Sequence, residues 1–144
     1  MERRLKRGLN TVEGKDYIVV GMPNTIDEVK KLSPPEFENW VIIDKMRGNR
    51  SRKKVGDMGL DGYLTRNLYH PDAGIQVKQS EGIGRNVVDN FETALKRAKY
   101  KTGYLVAFSF TRGVYEEVAR VKNKEGLEIK LITVKDLLEK KQPL

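Results

Sequence analysis

Alternation between apolar and polar positions divides the chain into short predicted strands and amphipathic helices. Residues 104–111 are apolar at nearly every position, which predicts a central strand covered on both faces. Residues 127–134 alternate apolar with polar side chains and predict a second strand. Residues 86–100 carry apolar side chains at helical spacing, with Asn86 as the expected N-cap, and predict the helix before the central strand.

Two consecutive helix-start signals precede this region. Thr25 and Glu28 form a T-x-x-E capping box, which predicts a short helix over residues 25–32. The stretch SPPE at residues 33–36 is a second capping box with proline at the first helical position. The helix that follows, ending near residues 46–48, has a core-facing stripe made of Phe37, Trp40 and Val41.

A β-hairpin is predicted between these helices and the central strand. Residues 61–68 and 75–79 are strand-like, and the turn-forming sequence HPDAG at residues 70–74 separates them. Residues 17–20 predict one more short strand, residues 47–60 a basic loop, and residues 114–123 and 135–141 further helices. This order of elements predicts an α/β fold with a mixed central sheet flanked by helices.

Composition and charge narrow the classes of function. The 144 residues include 28 basic and 20 acidic side chains, a net charge of +8, which favours a polyanionic partner. Six of the positive charges lie within ten residues: Lys45, Arg47, Arg50, Arg52, Lys53 and Lys54. The absence of cysteine excludes disulfides and thiol chemistry and fits a cytoplasmic location. No apolar run approaches the roughly 20 residues that span a bilayer, so no membrane association is expected.

The predicted hairpin carries three polar residues suited to metal and phosphate chemistry. Gln76 and Lys78 are two residues apart and therefore project from the same face of a strand, while Val77 points into the core. With Asp61 on the neighbouring strand, the hairpin offers a carboxylate, an amide oxygen and the Val77 carbonyl to a hard cation such as Mg²⁺. Lys78 would lie beside the metal-bound water. The alternative is a surface hairpin with polar residues on its solvent face.

Two other features bear on the function. The stretch SEGIGRN places Arg85 at the start of a predicted helix, where a DNA phosphate could be held by its guanidinium and free backbone N–H groups. A plain turn with an N-cap is the alternative. His70 is the only histidine and lies in a turn sequence, so no histidine metal site or catalytic triad is expected.

The hairpin residues resemble a known family. The stretch GDMGLDGYL followed by IQVKQS is similar to the Mrr-type branch of the restriction-endonuclease-like PD-(D/E)XK nucleases. The downstream strands GYLVAFSFT and IKLIT are also similar, so the resemblance covers roughly residues 35–138. It implies an N-terminal extension over residues 1–33, with a short strand and helix, and a restriction-endonuclease-like nuclease domain over residues 34–144.

The resemblance implies roles for individual residues. Asp61 matches the metal-binding aspartate, Gln76 the acidic-or-glutamine ligand, and Lys78 the catalytic lysine. Many members add an acidic residue from the first helix, for which Glu38 fits best because capping already explains Glu36. Asp57 would be a further ligand or would brace the loop before Asp61.

The resemblance also implies a function, which is metal-dependent cleavage of double-stranded DNA with Mg²⁺ or Mn²⁺ in a restriction–modification or DNA-defence setting. The chain is similar to the nuclease-like segment at the end of some DNA methyltransferases, so a methyltransferase is expected as a partner or fused domain. Members of this fold often pair so that each site cuts one strand, which makes a homodimer an expectation. A non-catalytic DNA-binding module is the alternative, and charge alone does not exclude RNA.

Overall fold

The first two helices begin at the capping boxes that the sequence predicts. The computed structural model describes residues 23–51 and 60–139. Helix α1 (Ile26–Lys30) begins after Thr25, whose hydroxyl accepts the N–H of Glu28 at 3.2 Å, and the Glu28 carboxylate accepts the N–H of Thr25 in return. Ser33 and Glu36 form the same reciprocal pair before helix α2 (Pro34–Asn39). Both predicted helix starts are confirmed.

Helix α2 continues directly into a π-helical segment, Trp40–Lys45, before the chain turns at Met46. Phe37, Trp40 and Val41 are all buried, as their spacing predicts. The wider π-helical turn is a local feature that apolar spacing does not distinguish from an ordinary helix, because both keep the same stripe buried.

Five strands form one mixed sheet in the described part of the chain. They are β1 (Asn49–Arg50), β2 (Gly62–Leu64), β3 (Ala73–Val77), β4 (Thr102–Ala107) and β5 (Glu128–Thr133), and they lie in that order across the sheet. Strand β2 runs antiparallel to its neighbours β1 and β3, while β4 runs parallel to both β3 and β5. The predicted α/β fold with a mixed sheet is confirmed. Strand β1 lies inside the segment predicted as a basic loop, so that part of the prediction is wrong.

The hairpin is present, but its first strand is shorter than predicted and its second is shifted by two residues. Strand β2 ends at Leu64 rather than residue 68, and β3 starts at Ala73 rather than residue 75. The intervening loop is held by side chains, because the Asn67 Oδ1 accepts two backbone N–H groups and the Asp72 Oδ1 accepts a third. Such side-chain bonds replace the ladder after Leu64 and end β2 early.

Helices connect the parallel strands and cover the sheet. They are α3 (Arg85–Ala98), α4 (Arg112–Glu125) and α5 (Val134–Glu139). The N-cap of helix α3 is Gly84, two residues before the predicted Asn86, and it has no capping side chain, so the assignment of Asn86 is wrong. The central strand is also shorter than residues 104–111, but β4 is buried at all of its positions, which confirms that it is covered on both faces.

Two hydrophobic clusters pack on opposite faces of the sheet. One contains Phe37, Trp40 and Ile75, and the other contains Phe91, Leu95 and other residues of α3 and α4. Gly103 allows the close approach of α3, because a Cβ at this position would lie 2.6 Å from Leu95 Cδ1 and 2.7 Å from Phe91 Cζ. The helices therefore cover both faces of the sheet.

Some predictions concern residues outside the described ranges. These are the strand at residues 17–20, the basic residues Arg52, Lys53 and Lys54, and Asp57. The boundary between residues 33 and 34 stays a prediction, although Val29 of α1 is fully buried in the core cluster with Phe37. Among the residues that the structure describes, no helix is long and apolar enough to cross a membrane.

Candidate active site at the end of the hairpin

Asp61 lies at the entry to strand β2, where the backbone ladder is irregular. Its N–H donates to the carbonyl of Ile75 at 2.9 Å, although the register pairs Ile75 with Gly62. Two consecutive residues therefore face one residue on the partner strand, which is the pattern of a β-bulge. A bulge changes the direction of the side chains next to it. The side chain of Asp61 is buried at this position, with 7% of the residue exposed.

The Asp61 carboxylate is held against the Q-x-K segment. Its Oδ2 accepts the backbone N–H of Val77 at 2.8 Å. The N–H and C=O of one strand residue point to the same side, so the Val77 carbonyl also faces the side of β3 on which β2 lies. A carboxylate oxygen and a backbone carbonyl oxygen thus lie on one side of β3, next to the start of β2.

Gln76 and Lys78 flank this contact along the strand. Both are half-buried, while Val77 between them is 6% exposed and belongs to the core cluster with Phe37. Lys78 follows the last residue of β3, but its N–H still bonds to the Val106 carbonyl at 2.8 Å, so the strand alternation continues through it. The two polar side chains consequently share one face, opposite to that of Val77.

Glu38 is buried in α2 and pairs with a strand next to Asp61. Its Oε1 accepts from the Arg50 Nη2 at 2.6 Å, and Glu38 is 9% exposed. Arg50 lies opposite Gly62 in the β1–β2 register, and the N–H of Ser51 bonds to the Asp61 carbonyl at 3.0 Å. The structure therefore links Glu38 to the entry of β2 through strand β1.

The basic residues proposed from the sequence have different surroundings. The ammonium of Lys45 lies 5.7 Å from the centre of the Trp40 ring, and Arg47 is exposed with a left-handed backbone, φ 58°. Arg50 bonds to Asn39 as well as to Glu38, so its guanidinium is already engaged within the protein. Lys45 and Arg47 precede strand β1, whose first residue pairs with Tyr63, so they lie towards the end of the β1–β2 pair that is away from Asp61.

Arg85 is the first residue of α3 and remains largely exposed. Its side chain is 63% exposed, and its Nε lies 3.1 Å from an oxygen of the buried Glu117. Ile83 pairs with Phe110 just before this point, so α3 begins beside the segment that leaves β4. This is the same end of the parallel strands from which Lys78 emerges.

An acidic cluster that sequence reasoning missed joins α3 to α4. Carboxylate oxygens of Asp89, Glu92 and Glu117 lie within 4.8 Å of one another. Arg120 bonds to Glu117 through two nitrogens and lowers the pKa of Glu117 to about 2, while desolvation and then the bond to Glu117 raise the pKa of Asp89. Glu92 and Asp89 are three residues apart on one helix, but nothing in the sequence pairs them with Glu117. Arginine already neutralises Glu117, so a structural role explains this cluster.

The oxygen groups at the open end of the hairpin, where β2 begins and β3 ends, fit a hard divalent cation. Asp61 supplies an anionic oxygen, Val77 a backbone carbonyl and Gln76 an amide carbonyl, which are the ligand types that Mg²⁺ and Mn²⁺ take. Glu38 would add a second carboxylate, although Arg50 now offsets its charge. The chemistry of this donor set is compatible with one metal ion that retains several waters.

Comparison with known proteins assigns the chain to a protein family. The fold, an α/β sandwich with a mixed five-stranded sheet, is that of restriction-endonuclease-like proteins. Residues 29–140 match the family model Mrr_cat, described as a restriction endonuclease. The chain therefore belongs to the Mrr_cat family of restriction endonucleases. Comparison with curated proteins finds no match.

Membership of this family has direct consequences. The family is one of nucleases of the restriction-endonuclease type, for which DNA is the implied substrate. Restriction endonucleases typically use divalent metal ions. The resemblance seen in the hairpin motifs is thereby confirmed at the level of the family.

Proposed function

We propose that this protein is a metal-dependent DNA endonuclease that hydrolyses phosphodiester bonds in a restriction–modification or DNA-defence setting. The observation that carries the proposal is the 2.8 Å bond between the Asp61 carboxylate and the N–H of Val77, the central residue of Gln76-Val77-Lys78. The buried carboxylate of Asp61 is thereby held next to the strand segment that carries the half-buried Lys78, in a protein of a restriction endonuclease family. A methyltransferase as partner or fused domain, and pairing into a homodimer, are part of the same proposal.

Asp61, Gln76 and the Val77 carbonyl would hold Mg²⁺ or Mn²⁺, with Glu38 as the second carboxylate. A bound divalent ion supplies a more acidic water and stabilises negative charge on the phosphate. The bulge at Asp61 keeps the carboxylate from rotating away, because its Oδ2 is bonded to Val77 and its N–H to Ile75. Asp61 therefore enters the reaction already oriented.

Lys78 would act on the phosphate directly. Its side chain leaves the strand on the face opposite to that of Val77, one residue beyond the Asp61 contact, and it is half-buried. An ammonium there can donate to a non-bridging phosphate oxygen and stabilise the charge that develops as water attacks. Partial burial strengthens this interaction relative to a lysine in bulk solvent.

Basic residues would bind the DNA phosphates. Arg85 begins α3 at the end from which Lys78 emerges, while Lys45 and Arg47 precede strand β1, whose first residue pairs with Tyr63. Arg50, with Arg52, Lys53 and Lys54, completes the proposed phosphate-binding set. Neutralisation of several phosphates releases counterions, so affinity should fall steeply as salt rises.

The test is cleavage of duplex DNA with Mg²⁺ or Mn²⁺. Asp61→Asn keeps the size of the side chain but removes its charge, and Lys78→Ala removes the ammonium; each should lower the cleavage rate by about a hundredfold or more. Lys135→Ala, an exposed lysine of α5, is the matched control and should cut like the parent. Thermal unfolding of each variant establishes that it is folded. Cleavage by both site variants at the parent rate would show the assignment to be wrong.

A non-catalytic DNA-binding module is the second candidate, and two observations favour it. Gln76 is neutral where many relatives carry a carboxylate, and Arg50 offsets the charge of Glu38 at 2.6 Å. Calorimetric titration with Mn²⁺ separates the candidates. A nuclease should give binding heat that disappears in Asp61→Asn, whereas a binding module should give none that depends on Asp61 while still binding DNA.

A further inference from the structure

The loop between β2 and β3 exposes two large apolar side chains to an unusual degree. Leu68 is 95% exposed and Tyr69 is 86% exposed, and they are adjacent in the chain. The next most exposed large apolar residue of the described chain is Tyr115, at 53%. Adjacent apolar side chains with this degree of exposure often mark a surface that binds a partner.

Hydrogen bonds within the loop hold its backbone in one conformation, in which these side chains face solvent. Asn67 Oδ1 accepts from the N–H groups of Tyr69 and His70 at 2.7 and 3.0 Å, and the Asn67 N–H donates to the His70 carbonyl. Asp72 Oδ1 accepts the N–H of Arg66 at 2.6 Å, which closes the base of the loop. Since the backbone is already ordered, a partner would not have to supply the free energy of fixing it.

Basic side chains lie near the loop at this end of the sheet, beside the acidic Asp72 and Glu125. Gly74 pairs with Gly103, so the loop and the segment before β4 leave the sheet at the same end. That segment contributes exposed Lys99 and Lys101, which line an open cavity of about 400 Å³ together with Tyr100. Burial, and after it the charge of Asp72, raises the pKa of Tyr100, in agreement with the proximity of the two segments.

We propose that this end of the sheet, defined by Arg66, Leu68, Tyr69, Lys99 and Lys101, is a second contact surface for duplex DNA. Leu68 and Tyr69 would lie against sugars and base edges in a groove, and the three basic residues would contact phosphates. Exposed cations favour a polyanion over an apolar protein partner. The proposal rests on the proposed function, because it extends the DNA already bound at the candidate active site.

The surface is at the opposite end of β3 from the candidate active site. Strand β3 runs for 5 residues from Ala73 to Val77, which corresponds to about 16 Å at ~3.3 Å per residue. Phosphates on one DNA strand are ~3.4 Å apart along the axis, so a duplex running along β3 would meet the loop about five base pairs from the cleaved bond. Contact with the loop should therefore require DNA that extends beyond the cleavage position.

The first experiment measures duplex affinity by fluorescence anisotropy in EDTA, where cleavage cannot interfere. The double variant Leu68→Ser/Tyr69→Ser should bind a duplex of about 20 base pairs roughly tenfold more weakly than the parent. The same variant should bind a duplex of about 8 base pairs with nearly the parent affinity. Ile43→Ser, which changes a 42% exposed apolar residue of the π-helical segment, is the control and should match the parent on both.

The second experiment measures the salt dependence. Lys99→Gln/Lys101→Gln should lower the slope of log K against log salt by about 1 to 2, whereas Lys135→Gln should leave it unchanged. Parent-like affinity and slope in both double variants would overturn the proposal. So would loss of self-association in Leu68→Ser/Tyr69→Ser, seen by light scattering at unchanged DNA affinity, which would make the loop a protein interface.

These outcomes are independent of whether the protein cleaves. If Asp61→Asn cuts like the parent but the loop variants bind the longer duplex weakly, the nuclease assignment fails and the second surface stands. If cleavage depends on Asp61 while the loop variants bind like the parent, the nuclease assignment stands and the second surface fails.

Discussion

At the scale of single residues, the site depends on charges that are held in place by backbone contacts. Asp61 is fixed by Val77 and Ile75, while Glu38 is fixed by Arg50. The neutral Gln76 is the residue on which metal affinity should depend most, because ligand charge is a main determinant of divalent-ion affinity. A change of charge at this position is the most direct probe of the site.

We expect Gln76→Glu to bind Mn²⁺ about tenfold more tightly than the parent, because a second carboxylate would join Asp61. Isothermal titration calorimetry measures the difference. Asn123→Asp adds the same charge at an exposed position of α4 and should leave the affinity unchanged. Equal affinity of Gln76→Glu and the parent would indicate that residue 76 does not contact the ion.

At the scale of secondary-structure elements, the pairing of α3 with α4 depends on a buried charge. Glu117 is 3% exposed, and it bonds to Arg120 on its own helix and to Arg85 of α3. Its pKa of about 2 lies below the ordinary value of 4.5, mainly because of the bond to Arg120. Folding therefore favours the ionised form of Glu117. At pH values where this carboxyl is ionised in both the folded and the unfolded protein, it stabilises the folded state.

We expect this stabilisation to be fully present above about pH 4.5 and to be lost as the pH falls towards about 2. Glu117→Gln should lower the free energy of unfolding at neutral pH by about 1.5–3 kcal/mol. The difference from the parent should shrink across this acidic range, as measured by urea denaturation at a series of pH values. The pKa of Asp89 is raised instead of lowered, so its contribution to stability changes with pH in the opposite direction. It would partly offset the loss of stability of the parent at acidic pH.

The matched control for this prediction is Glu116→Gln on the same helix. Glu116 pairs with Arg112, but both side chains are largely exposed, at 66% and 92%. Exposed pairs contribute only about 0–1 kcal/mol. A pH dependence in Glu117→Gln identical to that of the parent would contradict the assigned role of the Glu117 carboxylate.

At the scale of the whole molecule, a metal ion that binds only the folded state should stabilise it. At tenfold excess over the dissociation constant, the linkage amounts to about 1.4 kcal/mol, which corresponds to a rise in Tm of roughly 3–6 °C for a domain of this size. We expect Mn²⁺ to produce this rise in the parent and EDTA to reverse it. Differential scanning calorimetry measures both.

The controls separate the two acidic sites of the molecule. Asp61→Asn should abolish the rise in Tm, while Glu92→Gln, in the cluster between α3 and α4, should retain it. The reverse pattern would place the ion between the two helices and contradict the proposed site.

Sequence patterns anticipated most elements of the fold because the physics involved is local. Reciprocal capping at Thr25 and Ser33 involves residues three apart, so the local sequence is enough to predict it. The boundaries of the hairpin strands were less predictable, because Asn67 and Asp72 use side-chain bonds to end the ladder. The two-residue strand β1 forms through pairing with β2, which local preference does not reveal.

The sequence by itself determined the family, the buried strand and the identity of the polar residues around Val77, since these depend on side-chain type and spacing. Only the tertiary structure decided that the Asp61 carboxylate contacts the backbone of Val77, 16 residues away, and that Glu38 is paired with Arg50. It alone also joined Glu117 to Arg85 across two helices. Such contacts depend on a bulge, a strand register and helix packing, which are set by the whole chain and by no local pattern.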